Sequence, residues 1–342
     1  MNTVKNIAKK ISLYQRELNE LSENREAKKV NREEFTLLLS GISTCRKAPG
    51  IPVHMGYETL YHCESKKDEE MVREHLWKVY GIQNTESLLE FCEREYSVHK
   101  QYEQFMTFWV KAPLFDIEEL TSEGRKKFEE CKKVSEQFYP ILNEKGYYAW
   151  DINEKIGLYR KAVACGILSD KEFWQLTDPW VRLAQVFYHS YQEYAVSCLC
   201  GAVYFMYLGE PDLDNFFQIN FNLVQHLFME GGAWQRSQWY VPQNREWVDL
   251  LGSNPGCIIT KAALERNQIG YMYREEPSKN FPDCGWRFFV GDESDEYVNQ
   301  ADNNCICSFN DACIIDPTIL AYFYAGYGCR FDKINNRWVQ EF

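Results

Sequence analysis

The chain has 342 residues, 45% of them hydrophobic and 15% aromatic, enough apolar material for about two packed domains, which excludes wholesale disorder. A formal net charge of -12 excludes a general affinity for nucleic-acid phosphate and favours basic partners instead. No run reaches the ~18 apolar residues of a spanning helix, so no membrane role is expected.

Taken in chain order, residues 1–50 predict a helical N-terminal arm. Ile7, Ile11, Tyr14, Leu18 and Leu21 recur at spacings of four and three, an apolar stripe on a charged helix. A second patch, Phe35 to Leu39, ends near Gly41. The arm either packs on the main body or presents a partner-binding or dimerising helix, the basis for a homo-oligomer. Charges interrupt the N-terminus, so no signal peptide is expected. With 13 cysteines, an odd number, reduced thiols and a cytoplasmic location follow.

Pro49, Gly50 and Pro52 break the chain. Residues 51–250 then predict an all-helical domain. Gly81 to Asn84 separates one helix pair, and Ser169-Asp170-Lys171-Glu172 is a capping box. Asp178-Pro179 reads as a cap and a first helical proline, starting a helix from Trp180 to about Leu208. Its 14-residue end from Ala195 is apolar apart from Ser197 and predicts a core helix. A domain boundary is expected in the glycine- and proline-rich zone near residues 250–256.

Residues 251–342 change texture. Strands are predicted at Cys257 to Ile259, Gly270 to Arg274, Trp286 to Val290 and Arg330 to Phe331. Thr260 caps a short helix, Lys261 to Arg266, and Asp316-Pro317 starts another, Thr318 to Ala325. The fold class expected is therefore a mostly helical N-terminal domain followed by a small α+β C-terminal domain with a mainly antiparallel sheet. From Cys257 on, 13 Asp+Glu stand against 8 Lys+Arg, the more acidic part of the chain per residue.

Familiar catalytic apparatus is missing from the pattern. The 6 histidines form no His-x-x-x-His pair, and there is no phosphate loop and no Gly-x-Ser-x-Gly elbow. Cys198 and Cys200 diverge by about 200 degrees on a helix. Cys305 and Cys307, with Cys284 and Cys313, are the one thiolate set considered for zinc. Buried small residues are the expectation, with no metal and no cofactor. Two constellations remain. Asp151 and Arg160 lie about two and a half turns apart on one helix. Asp151 is read as a cap or as a partner for a charge on another helix; alternatively, the two residues form the polar cleft of an uncharacterised enzyme. Asp292, Glu293, Asp295 and Glu296 place four carboxylates in five residues after a strand. That segment is a solvated loop, a calcium site off the EF-hand spacing, or an edge that meets Lys and Arg of a basic protein partner. Trp286, Tyr297 or the pair Tyr271 and Tyr273 would anchor such a partner.

The segment from Cys257 to Trp338 resembles the immunity protein 33 family. The likeness rests on Ile258-Ile259-Thr260-Lys261, Gly270-Tyr271-Met272-Tyr273-Arg274-Glu275, Asp283-x-Gly285-Trp286-Arg287-Phe288, Gly291-Asp292-Glu293-Ser294-Asp295-Glu296-Tyr297 and Asp316-Pro317-x-Ile319. This resemblance implies an immunity-type protein of a bacterial polymorphic toxin system, with a toxin domain as partner. The region from Tyr57 to Tyr240 resembles a second family, the domain of unknown function 1266. It is carried by Leu76-Trp77-Lys78-Val79-Tyr80-Gly81-Ile82, Ala149-Trp150-Asp151-Ile152, Tyr159-Arg160, and Tyr188 through Gly201. That family implies no reaction. The expected function is neutralisation of a toxin by protein–protein contact; the rivals are the enzyme and an oligomerising scaffold.

Overall fold

The N-terminal apolar stripe builds α1 (Asn2–Glu20) in the computed structural model, which describes residues 2–20, 27–46, 50–106, 119–207, 212–240, 255–323, 325–334 and 337–341. Val4, Ile7, Ile11, Tyr14 and Leu18 are all buried, and Leu21 lies outside the described residues. A capping box at Asn31 and Glu34 starts α2 (Arg32–Leu39), and α3 (Gly41–Cys45) follows at once. Then come α4 (Lys66–Tyr80), ended by Gly81, α5 (Thr85–Glu95), α6 (Val98–Met106) and α7 (Ser122–Leu142). The helical unit closes with α8 (Tyr148–Ala164), α9 (Asp170–Phe187), α10 (Tyr191–Tyr207) and α11 (Leu213–Phe228). The stripe of α1 packs on α7, α10 and α11 within this unit.

At the centre is α8. Every residue from Ala149 to Arg160 is buried, polar ones included, because α2, α3, α4, α6, α9 and α10 surround it. Its closest neighbour is α10. A Cβ on Gly201 would lie 2.4 Å from the Cβ of Trp150, so only hydrogen fits at this crossing.

Two expectations about helix ends fail. Pro179 sits inside α9 instead of opening a new helix. The buried series Phe173, Thr177, Val181 and Ala184 runs through it, so packing of one face overrides the break. Asp178 is no cap. It pairs with Arg182 and Arg32, each at 2.6 Å. The break falls later, at Tyr188 to Ser190, where Ser190 accepts the Glu193 N–H at 3.2 Å and Glu193 accepts the His189 N–H at 3.0 Å. Ser190-x-x-Glu193 was the legible signal for that start. The expected end at Leu208 and most of the 250–256 boundary zone lie outside the described residues.

The described residues divide into two compact units, the helical one ending at residue 240 and the second beginning at 255. The second contains β1 (Gly256–Thr260), α12 (Lys261–Arg266), β2 (Tyr271–Arg274), β3 (Asp283–Phe289) and α13 (Asp295–Val298). It continues through β4 (Asn304–Ser308), α14 (Phe309–Ile315), β5 (Arg330–Ile334) and β6 (Arg337–Glu341). The six strands form one open sheet in the order β4-β1-β3-β2-β5-β6. The β1–β3 pair is parallel and the other pairs antiparallel. β4 and β6 are its two edges, which the sequence pattern does not mark; β4 has no fully buried residue and its one aliphatic, Ile306, is exposed. Residues 317–322 form a 3-10 turn where an α-helix was expected. Alternation puts Cys257, Ile259, Met272, Trp286, Phe288 and Phe331 on one face, where they pack with Phe309, Ala312, Ile319 and Tyr322. Tyr271, Tyr273, Arg287 and Phe289 take the opposite face.

Candidate functional site

The carboxylate segment follows the C-terminal end of β3. Gly291 has φ of +100°, a conformation that L side chains rarely adopt, and turns the chain out of the sheet. Glu293 then folds back. One of its oxygens accepts the Val290 N–H at 2.9 Å and the Thr260 hydroxyl at 2.7 Å; the other accepts the Gly291 N–H at 2.8 Å. Burial alone would raise this carboxyl, but Thr260 and the backbone donors outweigh it and hold it below the ordinary range. Thr260 also caps α12 through the Ala263 N–H. Glu293 is thus a strut between the ends of β1 and β3.

The other three carboxylates face solvent. Asp292 is exposed and receives Arg266 at 2.7 Å on each oxygen. Both partners are more than half exposed, and such a surface pair contributes about 0–1 kcal/mol, so the carboxylate is free to exchange partners. Asp295 and Glu296 are exposed in the first turn of α13, which Ser294 caps at the Tyr297 N–H. Tyr297 is half-buried.

Trp286 does not belong to this surface. It is 0% exposed, and its indole N–H donates to the Phe323 carbonyl at 3.2 Å. Its place in a motif beside the carboxylates suggested an anchor; strand alternation turns it into the core. The outward aromatics are Tyr271, Tyr273 and Phe289, with ring centroids 5.5 Å apart for Tyr273 and Phe289 and 5.8 Å for Tyr271 and Phe289. The two tyrosines are half-buried. A Cβ on Gly291 would sit 3.4 Å from the Cβ of Tyr271, so the carboxylate loop abuts this stack. Arg287 shares the face, locked by Asp283 at 2.7 and 3.0 Å and Glu275 at 2.6 Å.

In the helical unit, Asp151 and Arg160 are not brought together. Asp151 accepts the N–H of Val98 at 3.1 Å and of His99 at 3.0 Å, and so caps α6. Burial pushes its carboxyl up to about 6, against the pull of those N–H groups and Lys155. A shift of that kind marks many active sites, yet Asp151 is 3% exposed with both oxygens engaged. Arg160 is 0% exposed and holds other elements. It donates to Ser40 at 2.9 Å, Thr44 at 3.1 Å and the carbonyls of Leu37, Gly56 and Thr59. The Tyr61 ring lies 3.8 Å from its guanidinium. Burial lowers it to about 10.

Two buried polar groups escaped the sequence reading. Arg46 meets both oxygens of Glu154 at 3.0 and 2.9 Å and Asn220 at 2.8 Å. His99 accepts the Tyr147 N–H on Nδ1, which leaves Nε2–H to donate to Glu103 at 3.1 Å; Tyr148 donates to the same oxygen. The signal was the run Asp151-Ile152-Asn153-Glu154-Lys155 on an otherwise apolar helix. Among the described residues no group of three or more His, Cys, Asp or Glu side chains is placed to hold a metal ion. No described helix is long and apolar enough to cross a membrane.

An open six-stranded sheet with a pinned, acidic β3–α13 loop defines the C-terminal unit, and the comparison with known families agrees with that division. Residues 257–341 match the Immunity protein Imm33 domain family. Residues 75–239 match a protein family of unknown function, DUF1266. No curated protein matches the chain. No solved structure matches it either.

Proposed function

We propose that the chain is an immunity protein that neutralises a toxin domain by direct contact, through the Gly291–Tyr297 loop. The observation that carries this reading is the display of Asp292, Asp295 and Glu296 on a loop that Glu293 pins to two strands. Fixed carboxylates of one sign speed encounter with a basic protein and select its register. Toxins that cut nucleic acid need a basic groove, and the carboxylates would stand there in place of phosphates. Tyr271 and Tyr273, beside the loop, supply the anchor role once assigned to Trp286, since amphipathic rings bury area at low entropic cost. Tyr297 flanks them. The immunity-type domain match supports the class of function, and the 13 free cysteines fit a reducing, cytoplasmic compartment. The helical unit acts as a separate module, with Asp151 and Arg160 as structural members.

The test is capture and rescue. The full chain is immobilised and exposed to lysate of the source organism beside an Asp292→Lys/Asp295→Lys/Glu296→Lys variant. A basic protein bound by the first and not the second, whose toxicity on expression the full chain relieves, supports the proposal. Equal retention by both, or no relief, contradicts it.

A further inference from the structure

Cys257 and Cys307 face each other across the β1–β4 ladder. The register pairs Cys257 with Cys307 directly, between the flanking pairs Gly256 with Ser308 and Ile258 with Ile306. Residues opposite each other in an antiparallel pair have Cα atoms about 4.5 or 5.5 Å apart, and both values lie inside the range a disulfide spans. Their sulfurs are 3.5 Å apart and share a hydrogen bond. Both side chains lie on the core face, with Cys257 fully buried and Cys307 half-buried on the edge strand β4. An oxidant therefore reaches Cys307 first, and β4, with one neighbour, can shift the short distance to bonding.

We propose that Cys257 and Cys307 are a peroxide-reactive dithiol that closes to a reversible cross-strand disulfide. The Cys307 sulfur, as thiolate, attacks one oxygen of a hydroperoxide. The O–O bond breaks, the leaving oxygen takes up a proton, and Cys307 becomes a sulfenic acid. The Cys257 sulfur then attacks the Cys307 sulfur, the S–O bond breaks, and the oxygen leaves as water with the Cys257 proton. Two thiols lose two electrons between them and the peroxide gains two. Exposure sets the order of attack, since Cys307 is half-buried on the edge strand and Cys257 is fully buried. The hydrogen bond the sulfurs share favours the thiolate at Cys307 and the thiol at Cys257; burial and Asp311 oppose the lowering at Cys307. Cys284 and Cys313 also lie near enough to raise Cys257, and they are the competitors the experiment must exclude. In a reducing compartment such a bond is transient, formed under oxidant and reversed by thiols. While it lasts, it fastens the edge strand to β1 and closes a loop that contains the carboxylate segment.

The experiment uses the reduced full chain, hydrogen peroxide as oxidant, an acid quench, and iodoacetamide labelling under denaturing conditions. Peptide mass mapping is the readout, and it needs no variant. The expected result is loss of both labels at Cys257 and Cys307, a linked peptide pair lighter by two hydrogens, and full return of the labels with dithiothreitol. Labels retained at both positions, a link from Cys257 to Cys284 or Cys313, or an irreversible acid at Cys307 overturns the proposal. In a Cys257→Ser variant, Cys307 should stop at the sulfenic acid, which dimedone traps. Absence of that adduct in a folded variant contradicts the order of attack. Neither outcome depends on whether the chain binds a toxin.

Discussion

Asp151 carries its carboxyl at about 6, against an ordinary 3.8. The folded state therefore favours the protonated form. The cost of ionising it is absent below pH 3.8, grows as pH rises toward 6 and is complete above, at about 3 kcal/mol. Asn has no such ionisation. Urea unfolding should show Asp151→Asn carrying a pH-independent cost for the one backbone N–H it strands, and gaining about 3 kcal/mol relative to wild type between pH 4 and pH 7. A difference that stays constant with pH contradicts this. Glu293 gives the opposite expectation. Glu293→Gln keeps one acceptor and strands a backbone N–H, at a cost of about 1–3 kcal/mol. Amide exchange at Val290 and Gly291 should accelerate while amides in β2 stay protected; unchanged exchange there contradicts the strut. The sequence offers Asp151 as a cap without saying of which helix, and offers Glu293 for a partner surface rather than as a strut. Asp151 finds its partners at Val98 and His99, and Arg160 reaches back to Leu37 and Ser40. No local spacing encodes contacts that the tertiary fold creates.

Elements were legible where one strong local signal set them. Thr260 capping α12, Ser169 and Glu172 opening α9 and Gly81 closing α4 all appear as read. They were illegible where packing won over local chemistry, as at Pro179, or where pairing partners were remote. β4 pairs with β1 some fifty residues away in the chain, and its Ile306 points outward, 64% exposed, so no apolar alternation flags it. The α8–α10 crossing makes the sharpest element-level prediction. Gly201→Ala forces a methyl against Trp150 and should cost about 1–3 kcal/mol by overpacking. The urea midpoint should fall with the slope unchanged. An unchanged midpoint would mean that the two helices are not in close contact there.

For the whole molecule, two kinds of polar residue separate by exposure. The helical unit buries some of its charges and pairs them internally, as with Glu154, which meets Arg46 at 2.9 Å. The sheet unit buries Arg287 in the same way but leaves three carboxylates outside on a rigid loop. The acidic excess after Cys257 and the ordered motifs were legible in the sequence. The difference between Glu293 and its neighbours was not, because it depends on the turn at Gly291.

The most direct measurement is the association rate of the captured toxin domain with the full chain across a range of salt concentrations. The Asp292→Lys/Asp295→Lys/Glu296→Lys variant is the comparison. Electrostatic steering predicts a wild-type rate that falls steeply as salt rises, and a slower variant with a flattened dependence. Equal rates and equal salt slopes for the two proteins would contradict the account of the loop.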